Sequence, residues 1–381
     1  MGFIQKIFGR NKGMQKNNVY LEEAIKHFPF GGGIKEVIPY GNGHINDTYC
    51  VTAEQDGKRQ RFILQRMNRN IFSNTKELME NIVGITSYLR KKIEENGGDP
   101  ERETLNVIPT LDGETYYTDS EGFGWRVYLY IEGATTYDLV ENPEDFYASA
   151  VAFGHFQSLL ADYPADTLHE TIKNFHNTQD RYQKFLEAVE KDVMGRVKDV
   201  QEEIAFIKAH EKDTYVCQEM LKAKELPLRV THNDTKLNNI MIDTKTGKAI
   251  CVIDLDTVMP GLSIHDFGDS IRFGASTGAE DEVDLSKVSC SMELYELYTK
   301  GFIEGCKGRL TKKELEMLPM GAKVMTLECG MRFLTDYLQG DTYFKIHRPN
   351  HNLDRCRTQL KLVADMEKKW DIMKKITKKY V

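Results

Sequence analysis

From Thr231 onward the chain reads THNDTKLNNI, which sets His232, Asp234, Lys236 and Asn239 in the spacing H-x-D-x-K-x-x-N. Phosphoryl transfer from a nucleotide asks for little covalent chemistry. It needs a carboxylate to receive the acceptor hydroxyl's proton, hard oxygen ligands for Mg²⁺, and a cation near the transferred group. Asp234 suits the base, Lys236 the cation and Asn239 one metal ligand, with His232 holding the loop. Asp254 supplies the other metal contact, because a carboxylate and an amide carbonyl are the donors that Mg²⁺ takes. Taken singly, each residue has a plainer reading, since an Asp or Asn in a turn is most often a cap or a turn former.

The element that must position this set is a hairpin. Ile240-Met241-Ile242 and Ile250-Cys251-Val252-Ile253 are short apolar runs on either side of Thr244-Lys245-Thr246-Gly247-Lys248, a gap of hairpin length and composition. It carries one polar cluster before its first strand and another, Asp254 and Asp256, after its second. Asp266-Phe267-Gly268 lies beyond a Pro260-Gly261 turn, too far along to close the hairpin. We read Asp266 as the N-cap of a helix that runs on through Asp269, Ser270 and Ile271.

The stretch THNDTKLNNIMID with VIDLDTVMPGLSIHDFGDSIRFGAS resembles the catalytic loop and metal-binding aspartate of the aminoglycoside phosphotransferase/choline kinase superfamily. More narrowly, it is similar to bacterial N-acetylhexosamine 1-kinases. The resemblance spans roughly residues 34–365 and is specific only in this stretch and in 328–353. It implies an α+β, bilobal protein-kinase-like fold: a small antiparallel-sheet N-lobe with one main helix, and a larger, mainly helical C-lobe. It also implies ATP and Mg²⁺ as cofactors and phosphorylation of N-acetylglucosamine or N-acetylgalactosamine at the anomeric hydroxyl. A related small-molecule kinase acting on choline, homoserine or an aminoglycoside, or a nucleotide-binding pseudokinase-like module, stays open as an alternative.

On that template residues 1–18 are a flexible basic extension, 19–133 the nucleotide-binding N-lobe and 134–381 the C-lobe. Gly41 and Gly43, with Asn46 after them, lie in a loop whose glycines let backbone approach a phosphate, although G-x-G is also an ordinary hairpin turn. The next strand, Arg59 to Met67, should carry a cation for the nucleotide phosphates. Related kinases place it directly after three apolar residues, and here that place is Gln65. Arg66 follows, pointing to the other face unless a bulge intervenes; we assign Arg66 and leave Gln65 open. The helix from Ser73 to Glu95, with Leu78, Ile82, Ile85, Leu89 and Ile93 at helical steps, offers Glu80 or Glu77 as that cation's partner. The strand 124–131 leads to a Gly133 pivot, which makes Tyr130 and Glu132 nucleotide contacts.

For the sugar, FHNT at 175–178 contributes His176 and Asn177, though helix capping explains Asn177 equally well. Arg332 and Asp336 stand four apart on one helix face, as an ion pair or as a wall of the sugar pocket. Tyr343 could stack on a pyranose. We expect further helices over 143–163, 285–304 and 314–338, and one final helix over 355–380.

Composition bounds this reading. At 381 residues the chain has room for two lobes. A net charge of −7 argues against nucleic acid as a partner. Seven cysteines without a C-x-x-C pair point to reduced thiols and a cytoplasmic location. No apolar run is long enough to span a membrane. The basic amino terminus is too short in apolar character for a signal peptide, and Lys6 stands where myristoylation wants Ser or Thr. The expected ligands are a nucleotide and a small sugar, with the oligomeric state unknown.

Overall fold

The computed structural model describes residues 17–31, 33–41, 45–55, 57–137 and 142–381. The basic extension up to residue 16 and Gly43 lie outside them. The chain divides into two compact units, at Ala134/Thr135.

The first unit is built on an antiparallel sheet in which the strands Ile34–Pro39, Asp47–Gln55, Lys58–Arg66 and Gly124–Leu129 follow one another. Val107–Ile108 and Tyr117–Thr118 both pair with the last of these. Strand alternation sorts its two faces. Val51, Ala53, Phe62, Leu64, Trp125 and Val127 pack with Leu21, Ala24, Phe28 and Phe30 from the amino-terminal helix and the turn after it. Thr48, Gln65 and Arg126 belong to the opposite face. The long helix of this unit runs Thr75–Glu95 and starts where Asn74 accepts a hydrogen bond from the Glu77 amide. Leu78, Ile82, Ile85, Leu89 and Ile93 form its buried stripe, as their spacing anticipates.

The second unit is mainly helical. Pro143–Leu159, Ser263–Gly274, Met292–Gly305, Lys312–Gln339 and His351–Lys368 enclose a core centred on Phe153, Phe267, Tyr295, Tyr298 and Phe302. Two crossings bring backbones into contact through glycine. A Cβ on Gly268 would lie 2.3 Å from the Gly321 carbonyl oxygen, and one on Gly154 would lie 2.3 Å from that of Phe302. The glycine of the Asp-Phe-Gly triplet is therefore a packing residue. Any side chain there would force the Ser263–Gly274 and Lys312–Gln339 helices apart.

Two helix expectations need correction. The stretch 285–304 is not one helix: a short 3₁₀ turn at Leu285–Lys287 precedes Met292–Gly305. Between them the Cys290 amide donates to Asp365 Oδ2 at 2.8 Å, which draws that segment into an extended path. The last helix is two, His351–Lys368 and Trp370–Lys379. At the break Lys369 reaches the Cys290 carbonyl at 2.9 Å and the Ser289 hydroxyl at 2.7 Å.

Candidate active site

The hairpin forms as Ile240–Asp243 against Ala249–Val252. Its turn is local chemistry: Asp243 Oδ1 accepts from the Lys245 and Thr246 amides, and Gly247 takes the left-handed conformation at φ 67°. At the other end the Ile253 amide donates to the Asn239 carbonyl at 2.9 Å. That bond sets Asp254, the next residue along, beside the end of the catalytic stretch. Asp254 itself is left-handed at φ 58°, uncommon for a residue with a Cβ.

Around Asp234 the polar residues meet. Lys236 Nζ is 2.8 Å from Asp234 Oδ1. Asn239 Nδ2 donates to the Asp234 carbonyl at 2.8 Å and to Oδ2 at 3.1 Å. With its nitrogen so engaged, Asn239 has its amide oxygen left as a hard donor. That oxygen and the Asp254 carboxylate are a donor set that fits Mg²⁺. Burial pushes the Asp234 carboxyl up, but the Lys236 ammonium, His232 and the Asn239 amide outweigh it and hold the group below its ordinary value. Asp234 in turn raises Lys236, against the opposing effect of burial, so the ammonium stays charged.

The loop is held from below by residues that the spacing argument missed. Asp266 is 1% exposed and lies within the Ser263–Gly274 helix, so it is not the cap expected for it. It accepts from the His232 amide at 2.9 Å, the Asn233 amide at 2.8 Å and Gln157 Nε2 at 2.7 Å. One turn on, Asp269 accepts from the Thr235 amide at 3.1 Å. Asn233 is left-handed at φ 65°, and its side chain donates to the Thr257 carbonyl at 2.8 Å. His232 is fully buried; its Nε2–H donates to the Ile253 carbonyl at 2.8 Å while Nδ1 accepts from the Asp234 amide at 3.3 Å. It thus ties the loop to the far strand of the hairpin. In the sequence Asp266 and Asp269 show only as two acids three apart, a spacing that puts them on one face of the helix.

The residues assigned to the sugar divide into two groups. His176 sets its ring nitrogens against Glu328 Oε1 at 2.8 Å and the Asn233 carbonyl at 3.3 Å, which joins this segment to the residue before Asp234. Arg332 stands one turn from Glu328 among the Phe175, Tyr343 and Phe344 rings, 5.4, 5.8 and 5.5 Å from their centroids. Among the described residues it has no hydrogen-bond or ion-pair partner. Tyr343 is 61% exposed. Asn177 caps the Thr178–Lys191 helix, its Oδ1 accepting from the Asp180 amide at 3.1 Å. Asp336 is neither an ion-pair partner of Arg332 nor a pocket wall. It is buried, and it accepts the amides of Thr342, Tyr343 and Phe344 at 2.9, 2.8 and 3.0 Å, with Asn352 completing its shell.

Glu328 is the missed residue of this group. Burial raises its carboxyl, yet His176, Arg332 and Arg181 outweigh burial and bring it down to about 2 from the ordinary 4.5. A depressed carboxylate contributes stability above its unfolded value and loses it as pH falls toward the folded one. Glu328→Gln should therefore lower the thermal midpoint at pH 7 and differ much less from wild type near pH 3. Melting curves across that range check it, and a constant difference would remove the ion pair as the cause.

In the first unit Gly41 is left-handed at φ 76°, as a turn glycine should be, and Asn46 Oδ1 accepts from the Asn68 amide at 3.0 Å. Arg66 does not face a phosphate. The strand runs without a bulge, so Arg66 points away from the Gln65 face; it binds Asp119 at 3.0 Å and Glu121 at 2.8 Å and lies over the Phe123 ring. Those two carboxylates, not Glu80 or Glu77, meet the strand's arginine. Glu80 is about half exposed and faces Lys76 at 3.8 Å. Glu132 pairs with Arg61, whose guanidinium lies 3.8 Å over the Tyr130 ring.

The sequence pattern of the phosphotransferase enzyme family (APH) matches residues 36–289. Among solved structures the chain is similar to the microcompartment-associated aminopropanol kinase, at 14% identity over 93% of this chain and 98% of that one, with a TM-score of 0.59. It is similar to an aminoglycoside phosphotransferase from Alicyclobacillus acidocaldarius, at 12% identity over 94% and 96%, with a TM-score of 0.60. A choline kinase from Cryptosporidium parvum matches at 14% identity over 94% and 97%, with a TM-score of 0.55. At such identities the likeness is one of fold, and the fold is kinase-like. No helix among the described residues is long and apolar enough to cross a membrane.

Proposed function

The chain belongs to the phosphotransferase enzyme family, and from that premise we propose that it is an ATP-dependent kinase of N-acetylhexosamines, forming the sugar 1-phosphate. The observation that carries the reading is the meeting of Asp234, Lys236 and Asn239 at the hairpin end that also bears Asp254. Asp234 takes the proton of the anomeric hydroxyl as the hydroxyl oxygen attacks the γ-phosphorus of ATP, whose bond to the bridging oxygen breaks so that ADP leaves. That hydroxyl is more acidic than an ordinary alcohol, so a carboxylate with a depressed pKa still serves as acceptor. Asn239 holds the Asp234 carboxylate in place through Nδ2, and Lys236 exchanges part of its contact with Asp234 for the transferred group. Asn239 Oδ1 and Asp254 would hold Mg²⁺, which when bound draws charge from the nucleotide phosphates.

On the acceptor side, Arg332 in its ring of aromatics supports a neutral, oxygen-rich acceptor. The rings suit the apolar face of a pyranose, and the guanidinium suits a carbonyl or hydroxyl oxygen. A quaternary ammonium or a polyamine would meet like charge from Arg332 and Arg181; burial first, and then the neighbouring Arg332 charge, hold the Arg181 guanidinium below its ordinary value. The aminopropanol and choline kinases of the same fold make an amino alcohol the alternative to test. A screen of N-acetylglucosamine, N-acetylgalactosamine, choline, aminopropanol and an aminoglycoside with labelled ATP, followed by NMR of the product, separates these. Transfer to an amino alcohol alone would sink the sugar reading, and nucleotide binding with transfer to none would favour a binding module.

The charge on Lys236 has its own signature in the pH profile. Because it holds the Asp234 carboxyl down, the acid limb of kcat in the wild type should lie below about pH 4, the ordinary carboxylate range. Lys236→Met removes the cation, so that limb should move to higher pH while kcat falls. A limb that stays in place would take Lys236 out of the control of Asp234.

A further inference from the structure

The peptide group that joins Asn233 to Asp234 is held at both ends by histidines. Its N–H donates to His232 Nδ1 at 3.3 Å, and its carbonyl lies 3.3 Å from His176 Nε2. The two rings differ in their protons. His232 gives its Nε2–H to the Ile253 carbonyl at 2.8 Å, which leaves Nδ1 to accept. His176 has an acceptor at each nitrogen, the Asn233 carbonyl on one side and Glu328 Oε1, at 2.8 Å, on the other. A peptide carbonyl has no proton to give. Glu328 has none either: against burial, His176, Arg332 and Arg181 bring its carboxyl down to about 2, and its other oxygen already accepts from the Thr178 hydroxyl at 2.6 Å. A neutral imidazole has one N–H and satisfies only one of these acceptors, whereas the doubly protonated ring satisfies both. The charges nearby permit that form. His265, whose ring centroid is 5.5 Å from that of His176, is buried, and burial and then His176 push it down to about 3, so it stays neutral. Glu328 is the counter-charge, in contact with a ring whose side chain is 8% exposed.

We propose that His176 carries a proton on both ring nitrogens and is the positioning residue of the base, fixing the plane of the peptide that leads into Asp234. Asn233 is left-handed at φ 65°, which a residue with a Cβ holds only where its surroundings over-determine it. Its amide is fixed by Asp266 and its side chain by the Thr257 carbonyl. The peptide that follows still has two soft dihedrals, ψ of Asn233 and φ of Asp234. A turn about them would re-aim the Asp234 carboxylate away from Lys236 and Asn239. A charged donor on the Asn233 carbonyl opposes that turn, and such bonds are stronger than neutral ones. His176 in this arrangement supports the base and does not touch the acceptor. The inference rests on the reading of Asp234 as the base and adds what aims it.

Nitrogen-15 NMR of histidine-labelled protein reads the ring directly, with the His176 signals identified by their loss in His176→Phe. At neutral pH both nitrogens should show the shifts of an imidazolium in the wild type. In Glu328→Gln the amide nitrogen donates to Nδ1 while its oxygen keeps the Thr178 hydroxyl, so the ring should hold one proton, on Nε2, and still meet the Asn233 carbonyl. Turnover gives the second readout. His176→Phe should lower kcat about tenfold, the loss of one hydrogen bond from a charged donor, with the KM for acceptor and for MgATP unchanged. Glu328→Gln should lie several-fold above it in kcat despite a lowered thermal midpoint. Should His176→Phe fail to fold, the His176 signals are those that change in Glu328→Gln, and the NMR result decides alone. A wild-type ring with a single proton would overturn the assignment, as would a raised acceptor KM in His176→Phe with kcat retained, which would return His176 to the acceptor pocket. Both leave the kinase reading intact. A wild type that transfers phosphate to no acceptor would remove that reading and the positioning role with it, while the proton count stays legible by NMR.

Discussion

Asp234→Asn lowers kcat by about 10²- to 10⁴-fold, the range for losing a general base, and leaves the affinity for nucleotide near wild type. The substitution keeps the size of the side chain and replaces an acceptor of protons with a group that cannot take one. Structural consequences should be small. The Lys236 and Asp234 side chains are 35% and 29% exposed, so the ion pair between them is screened and its loss costs about 1 kcal/mol or less. Asn239 can still donate to the backbone carbonyl at 234. The measurement is steady-state turnover with the best acceptor from the screen, together with MgADP titration and a melting curve. Near-native kcat in the variant would strike Asp234 from the mechanism, whatever the acceptor proves to be.

Asp266→Ala should give the largest loss of stability, although Asp266 lies outside the set that does the chemistry. Its carboxylate is 1% exposed and receives three donors, the His232 and Asn233 amides and Gln157 Nε2. Burial raises this carboxyl above its ordinary value, while His232 and the two amides pull it down. Alanine would strand three buried donors at once. With each such group costing 1–3 kcal/mol, the sum is about 3 kcal/mol or more, which lowers the thermal midpoint by roughly 10 °C in a unit of this size. Turnover should fall as well, since Asn233 then loses the bond that keeps its left-handed turn in place. Asp266→Asn separates the two effects: it retains one acceptor oxygen and should lie between wild type and alanine in both readouts. A midpoint unchanged in Asp266→Ala would show that the amides find other acceptors and that the latch has been misjudged.

What could be read ahead of the fold was whatever local physics decides. The hairpin over Ile240–Val252 follows from two apolar runs and a Gly-containing gap. A strand's two ends are linked by few residues, so the proximity of Asn239 to Asp254 comes with the hairpin itself. The stripe of the Thr75–Glu95 helix is likewise a matter of period and spacing. Side chains whose partners are distant in the chain were misread or missed. Arg66 looked like a phosphate ligand until strand alternation gave it to Asp119, 53 residues away. Asp336 looked like half of an i,i+4 pair until the chain reversal at 340 brought three amides onto it.

The same divide runs through the candidate site. The H-x-D-x-K-x-x-N spacing by itself determined which residue types stand together and what chemistry they suit. Only the tertiary structure decided what holds them: Asp266 beneath the loop from 33 and 34 residues on, and Glu328 against His176 from 152. The reason is physical. Turn and strand preferences act over a few residues, whereas a buried carboxylate or guanidinium is satisfied by whatever donors and acceptors the packing of distant elements brings within about 3 Å.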